Sequence, residues 1–254
     1  MIVQDVLNWM ETIAPFQSCE DFDNVGLLVG KADSEIRGVV FCLDVTEETV
    51  DLAVQKGANL IITHHPIIFH PLKRLDLSLP QGRILQKLLQ HQIHVIAAHT
   101  NLDKAPGGIS DTLADAIGLI RVQKTDEYLR IGELAQAMTI ESFAKLVTNC
   151  LDMPVRVLYS QSKALRRIAV AGGAYGEGYE TAVQNGADAF VTGEIKHHEI
   201  IDASARGLVV IDASHYATEW IGVKALYQRF LRESQGKLPA VLEEHRPYRV
   251  MTVP

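Results

Sequence analysis

Ala53-Val54-Gln55-Lys56-Gly57-Ala58-Asn59-Leu60-Ile61-Ile62-Thr63 is echoed later in the chain by Ala182-Val183-Gln184-Asn185-Gly186-Ala187-Asp188-Ala189-Phe190-Val191-Thr192. In each copy a helical stretch ends at a glycine, which supplies the left-handed residue that closes a helix, and a short apolar strand follows. Each copy is preceded by another apolar run, Gly38 to Leu43 in one case and Ile168 to Ala171 in the other. Each is followed, after a helical segment, by a further strand closed by a histidine, His99 or His215. A carboxylate stands four residues beyond each histidine, Asp103 or Glu219. Similar elements in the same order imply an internal duplication.

Working outward, apolar positions Val3, Val6, Leu7, Met10 and Ile13 form a helical stripe over residues 3–14. Helices are predicted at 46–56, 82–91, 109–117, 141–149, 177–185, 195–206 and 216–232. Apolar runs near 38–43, 59–63, 93–98, 154–159, 167–171, 188–192 and 208–212 read as strands buried on both faces. Alternating strands and helices give an α/β fold with mostly parallel sheets. The expected organisation is two related α/β halves, 1–124 and 125–254, facing each other across a metal site. The junction is placed near Lys124-Thr125-Asp126-Glu127.

The totals narrow the class. The 254 residues are 47% hydrophobic and 22% charged, ample for a large core. A formal net charge of −7 provides no overall basic field for nucleic acid or an anionic membrane. No apolar stretch approaches the roughly 20 residues of a membrane span. The start Met1-Ile2-Val3-Gln4-Asp5 does not resemble a secretory signal, and the three isolated cysteines suit a reducing cytoplasm.

Ligand-type residues cluster at strand ends, where open α/β sheets build their sites. His64 and His65 close the run ending at Thr63; Asp103 follows the strand near 93–98; His215 and Glu219 follow the strand near 208–212. Adjacent side chains on extended backbone diverge, and Pro66 keeps His65 extended, so the pair serves two nearby ions better than one. His215 and Glu219, four apart, share one helix face, and Asp103 is expected in a polar loop. Three imidazoles and two carboxylates suit Zn, Mn, Fe or Ni. Five side chains cannot saturate two ions, which leaves positions for water or substrate, the pattern of an open catalytic centre. Two divalent ions less two carboxylates leave roughly +2, favouring anionic groups and an activated water.

His99 is expected to support a ligand, and His197-His198 to be solvated or a subunit contact. His70, His91, His94 and His245 read as ordinary surface or core residues. The segment Gly172-Gly173-Ala174-Tyr175-Gly176-Glu177-Gly178 is either a simple turn or a phosphate cradle.

Taken together the motifs Asp23-Asn24-Val25-Gly26-Leu27-Leu28-Val29-Gly30, Thr63-His64-His65-Pro66, His99-Thr100-Asn101-Leu102-Asp103, Thr192-Gly193-Glu194 and His215-Tyr216-Ala217-Thr218-Glu219 resemble the Nif-three-like family, the GTP cyclohydrolase I type 2 homologues. The resemblance covers essentially the whole chain, in the short form without an inserted domain. It implies a dinuclear metal site on His64, His65, Asp103, His215 and Glu219, and a toroidal homohexamer. Ser214 stands where many relatives carry glycine. The expected activity is metal-dependent hydrolysis of a small anionic, nucleotide-like substrate, with Glu194 and His99 as candidate proton-transfer groups. The alternative is a metal-containing ring-shaped binding or regulatory protein without catalysis.

Overall fold

In the computed structural model, residues 1–254 are described except His245, Pro247, Arg249 and residues 252–254. The sequence expectation for His245 therefore lies outside the described residues. Along the chain come α1 (Val3–Ile13), β1 (Gly26–Val29), β2 (Val39–Cys42), α2 (Glu47–Gln55), β3 (Leu60–Thr63), α3 (Pro80–Gln90), β4 (His94–Ala97) and α4 (Thr100–Lys104). Then follow α5 (Ile109–Ile117), β5 (Ile120–Lys124), β6 (Arg130–Met138), α6 (Ile140–Leu151), β7 (Arg156–Leu158) and β8 (Leu165–Val170). The chain continues through α7 (Tyr179–Gln184), β9 (Ala189–Thr192), α8 (His197–Ala205), β10 (Val209–Asp212), α9 (His215–Ser234) and β11 (Ala240–Leu242).

Two compact units result: Met1–Pro106 with Val223–Pro254, and Gly107–Gly222. This corrects the expected division at 124/125. Residues 107–124 belong to the second unit because β5 pairs with β6, and because Ile109 of α5 packs against Gly172 and Gly222. The C-terminal stretch belongs to the first unit because β11 adds parallel to β2.

In the first unit the strand order is β1-β4-β3-β2-β11, with only β1 antiparallel to its neighbour among the described pairings. Every residue of β2, β3 and β4 is buried. Alternation sends Val40, Cys42, Ile61 and Val95 to a core with Val50 and Ala53 of α2 and Leu85 and Leu88 of α3. From β2, Phe41 packs edge-on against Tyr227 and tilted against Phe230, both of α9. Trp9 of α1 meets Phe230 in turn.

The second unit has the order β5-β6-β8-β9-β10-β7. Its centre, β8-β9-β10, is parallel, whereas β5, β6 and β7 join antiparallel. The two sheets are thus mixed, with parallel centres. Leu129, Ile131, Ala169, Phe190 and Val210 build its core with Ala182 of α7 and Ala203 of α8.

The duplication extends further than the sequence echo. Strands β1-β4-β3-β2 and β7-β10-β9-β8 have the same order and directions, and α2 and α7 precede the equivalent strands β3 and β9. The register refines one equivalence. Ala97 lies opposite Thr63, and Asp212 lies opposite Thr192. Counting on, His215 corresponds to Thr100 and His99 to Ser214, so the two histidines are one position out of step. Their similar spacing to Asp103 and Glu219 is therefore not a strict repeat identity. No helix among the described residues is long and apolar enough to cross a membrane.

Candidate metal centre

In the first unit, β3 runs straight into the histidine pair. Backbone bonds continue past its end, from His64 N to the Cys42 carbonyl at 3.2 Å and from His65 N to the Leu43 carbonyl at 2.9 Å. The His64 side chain is fully buried, and His65 keeps a quarter of its surface. After β4, His99 leads into α4, a five-residue helix that carries Asp103. Asp103 is therefore helical rather than in the expected loop; extended backbone at Ala105 ends the helix after little more than one turn.

The rings of His64, His65 and His99 gather at centroid separations of 5.0, 5.2 and 5.5 Å. Each offers a ring nitrogen within 4.8 Å of the others, a grouping that could hold a metal ion. His64 Nε2 lies 3.5 Å from Asp103 Oδ1. In the second unit, His215 begins α9 and Glu219 follows one turn later, with Nε2 and Oε2 3.1 Å apart. Both separations exceed the ~2.7–2.9 Å of a charge-assisted hydrogen bond. They match the roughly 2.8–3.5 Å between neighbouring donors around an ion at ordinary metal–ligand distances.

The opposite face of each ring explains which nitrogen is presented. His64 Nδ1 donates to the Ala98 carbonyl at 2.9 Å, and His65 Nδ1 to Asp44 Oδ1 at 2.8 Å. His99 Nδ1 donates to Asp23 Oδ1, and His215 Nδ1 to Glu194 Oε1, each at 2.8 Å. A carbonyl or carboxylate can only accept, so each Nδ1 carries the proton and each Nε2 offers its lone pair. This is the arrangement by which metal-binding histidines are oriented and made more basic.

Asp23 is itself tied down. Besides His99 it receives the Thr100 backbone N–H at 3.0 Å and the Thr100 hydroxyl. Burial pushes its pKa up, but the hydrogen bonds from His99 and Thr100 outweigh that and hold it well below the usual carboxylate range. Asp44 had no distinguishing signal in the sequence: it follows a strand like many aspartates, 21 residues from its histidine. Glu194, read as a proton-transfer candidate, is the acceptor that orients His215.

Glu219 depends on a glycine. Gly173 has φ +62°, and a Cβ there would stand 2.2 Å from Glu219 Oε1. The Gly173 N–H donates to Thr218 Oγ1 at 3.1 Å, and the Gly172 N–H is directed at Ser110 Oγ at 3.4 Å. The small pocket beside this turn is lined by Glu177, Glu194 and Glu199, with Lys196 as its cation. Its carboxylates and its engaged amides disfavour phosphate, so the turn serves to admit Glu219. His197 and His198 open α8 away from these residues in sequence and are not brought into the clusters described above.

Comparison with known proteins places this geometry in context. Residues 1–246 match the model of the family described as Duf34/NIF3 (NGG1p interacting factor 3). A Clostridium acetobutylicum protein named GTP cyclohydrolase 1 type 2 homolog is 32% identical, over 89% of this chain and 88% of its own length. A Staphylococcus aureus protein of the same name is 30% identical over 354 aligned positions, covering 94% of this chain and 96% of the relative. That alignment is longer than the 254 residues here, so the relative carries inserted sequence. The crystal structure of a Staphylococcus aureus hypothetical protein superimposes with a TM-score of 0.91, at 32% identity and 99% coverage of both chains. With the family model spanning nearly every residue and the fold matching throughout, the chain belongs to the Duf34/NIF3 family.

Proposed function

We propose that His64, His65, Asp103, His215 and Glu219 hold two divalent metal ions, of zinc, manganese, iron or nickel, and that the protein is a metal-dependent hydrolase of small anionic, nucleotide-like substrates. One observation carries the reading. Four imidazoles have their Nδ1 committed to an oxygen acceptor, and for His64 and His215 the Nε2 stands at ligand-to-ligand distance from a carboxylate. Nothing in core packing requires that pattern four times over.

When bound, such ions supply Lewis acidity that brings the ionisation of a water toward neutral pH. The chain's own groups do the rest. Asp44 and Glu194 fix the tautomer and direction of His65 and His215. His99, with its Nδ1 held by Asp23 and its ring gathered with His64 and His65, is the better placed of the two proton-transfer candidates. Glu194 acts through His215. The printed names of the relatives, GTP cyclohydrolase 1 type 2 homologs, make purine nucleotides the first substrates to screen. The reading includes a cytoplasmic toroidal homohexamer.

The test is elemental analysis of protein purified without chelator or nickel resin, beside Glu219→Ala. About two ions per chain, falling sharply in the variant, supports the centre. One ion or none, unchanged by the substitution, refutes it. Turnover of nucleotides, phosphoesters or cyclic amides by the loaded protein, abolished in His64→Ala, supports hydrolysis. The second reading, a metal-containing binding or regulatory ring, is favoured by the family's description as an interacting factor. It gains if the metal is present and no turnover is found.

A further inference from the structure

Within the first unit, a groove of about 390 Å³ lies at the end of the sheet away from His64, His65 and His99. It is formed where β1 ends and β3 and β4 begin. His94, the first residue of β4, is five residues before His99, so the groove sits roughly 16 Å from the metal-binding end of that strand. It is independent of the proposed hydrolytic chemistry. Its volume falls in the range of small-molecule sites.

Its walls have two characters. Leu88, Leu89 and Ile93, at the end of α3 and the approach to β4, form an aliphatic side. Lys31 and Arg37 line the other, with Glu35 beside them. The lining is therefore net positive in a chain whose formal charge is −7. Among the described residues neither cation takes part in an ion pair. The rim is held rigidly: Asn59 Oδ1 accepts from Arg37 N at 2.7 Å, and its Nδ2 donates to the Glu35 carbonyl at 2.8 Å.

The floor contains a built polar group. His94 is only 6% exposed yet lines the groove. Its ring rests on Gly30, where φ is +111° and a Cβ would fall 2.0 Å from Nδ1. The Lys31 N–H points at Nδ1 from 3.4 Å, which leaves the proton on Nε2 as a donor. Burial and the neighbouring Arg37 guanidinium lower the His94 pKa, against a smaller opposing pull from Asp33. A buried imidazole beside two unpaired cations and an aliphatic wall suits one class of ligand.

We propose that this groove binds a small anion with an apolar body, its anionic group on Arg37 and Lys31 and its body against Leu88, Leu89 and Ile93. Phenyl phosphate is the probe, titrated calorimetrically into the full-length, metal-loaded protein, with inorganic phosphate and phenol as comparators. The expected result is a saturable site that Arg37→Gln and Lys31→Gln each weaken about tenfold, and that Glu219→Ala leaves intact. Both substituted cations are exposed, so folding is not at stake. Both comparators should bind at least tenfold more weakly. The proposal is overturned if both cation variants bind phenyl phosphate like the wild type. It is equally overturned if phenol matches phenyl phosphate, if inorganic phosphate does, or if binding disappears in Glu219→Ala, which would put the probe at the metal centre.

Discussion

Replacing Asp44 by alanine takes away the acceptor that holds His65 Nδ1 at 2.8 Å, while leaving the histidine itself in place. Two effects follow for a metal on Nε2. The ring loses the negative charge that makes it more basic, and it gains rotational freedom that must be given up on binding. Loss of such a supporting group typically lowers metal affinity 10–100-fold, or about 1.4–2.7 kcal/mol. The Asp44 side chain is 39% exposed, so water can take over part of its role; the expected loss is at the lower end, about tenfold. Asp44→Asn keeps an acceptor and loses only the charge, and should fall between alanine and wild type. The assay is equilibrium competition for zinc against a chromophoric chelator, with circular dichroism as a check on folding. In a His65→Ala background, Asp44→Ala should add little, because the two changes remove one unit. The reasoning is refuted if folded Asp44→Ala binds zinc as tightly as wild type, or if its effect persists in full without His65.

Three further outcomes follow from the same geometry. Gly173→Ala puts a Cβ where Glu219 Oε1 stands, at a backbone φ of +62°, so the metal content should fall while the circular dichroism spectrum is retained; undiminished metal would show that Glu219 is not needed in that position. Ser214 sits at φ +71°, a left-handed conformation that suits glycine, so Ser214→Gly should gain about 0.5–1 kcal/mol and raise the melting temperature by ~1–3 °C; a loss on thermal denaturation would contradict this. The depressed Asp23 carboxyl contributes stability that is present above the ordinary carboxylate pKa of about 4 and is lost as pH falls toward its lower folded-state value. Chelated wild type should therefore lose urea resistance below about pH 4, and Asp23→Asn, weaker at neutral pH, should lose less of it; parallel pH profiles would exclude the linkage.

Much of the fold was legible because β2, β3 and β4, and their counterparts β8, β9 and β10, have apolar interiors, which their sequences declare. The antiparallel edge strand β7 was also legible, within the run 154–159, but β1, β5, β6 and β11 were not. In β6, Arg130-Ile131-Gly132-Glu133-Leu134-Ala135-Gln136-Ala137-Met138 is rich in helix formers, and its strand state comes from pairing with β5 and β8. Strand β1 opens on Gly26 after the Asp23-Asn24 turn signal, and β11 is only three residues long. Of the candidate site, the histidines and carboxylates at the strand ends could be read from the chain as ligand-type residues. The acceptors behind them could not, because Asp44 and Asp23 reach their histidines across 21 and 76 residues.

The duplication makes sense of that asymmetry. By register, His64-His65 in the first unit occupies the place of Gly193-Glu194 in the second, and Asp44 the place of Gly173. The first unit thus uses the end of its central strand to deliver donors, and the neighbouring strand end to supply the acceptor behind His65. The second reverses the assignment: the central strand end supplies the acceptor, Glu194, while the neighbouring position is emptied to glycine so that Glu219 can enter from α9. The two equivalent strand ends thus carry different candidate donors, each with its own supporting carboxylate. The consequence is directional. Exchanging residues between equivalent positions, as in Asp44→Gly or Gly173→Asp, should weaken metal binding in both cases, the first by freeing His65 and the second by displacing Glu219. If either exchange left zinc affinity unchanged in the folded protein, divergence at these positions would have no part in building the site.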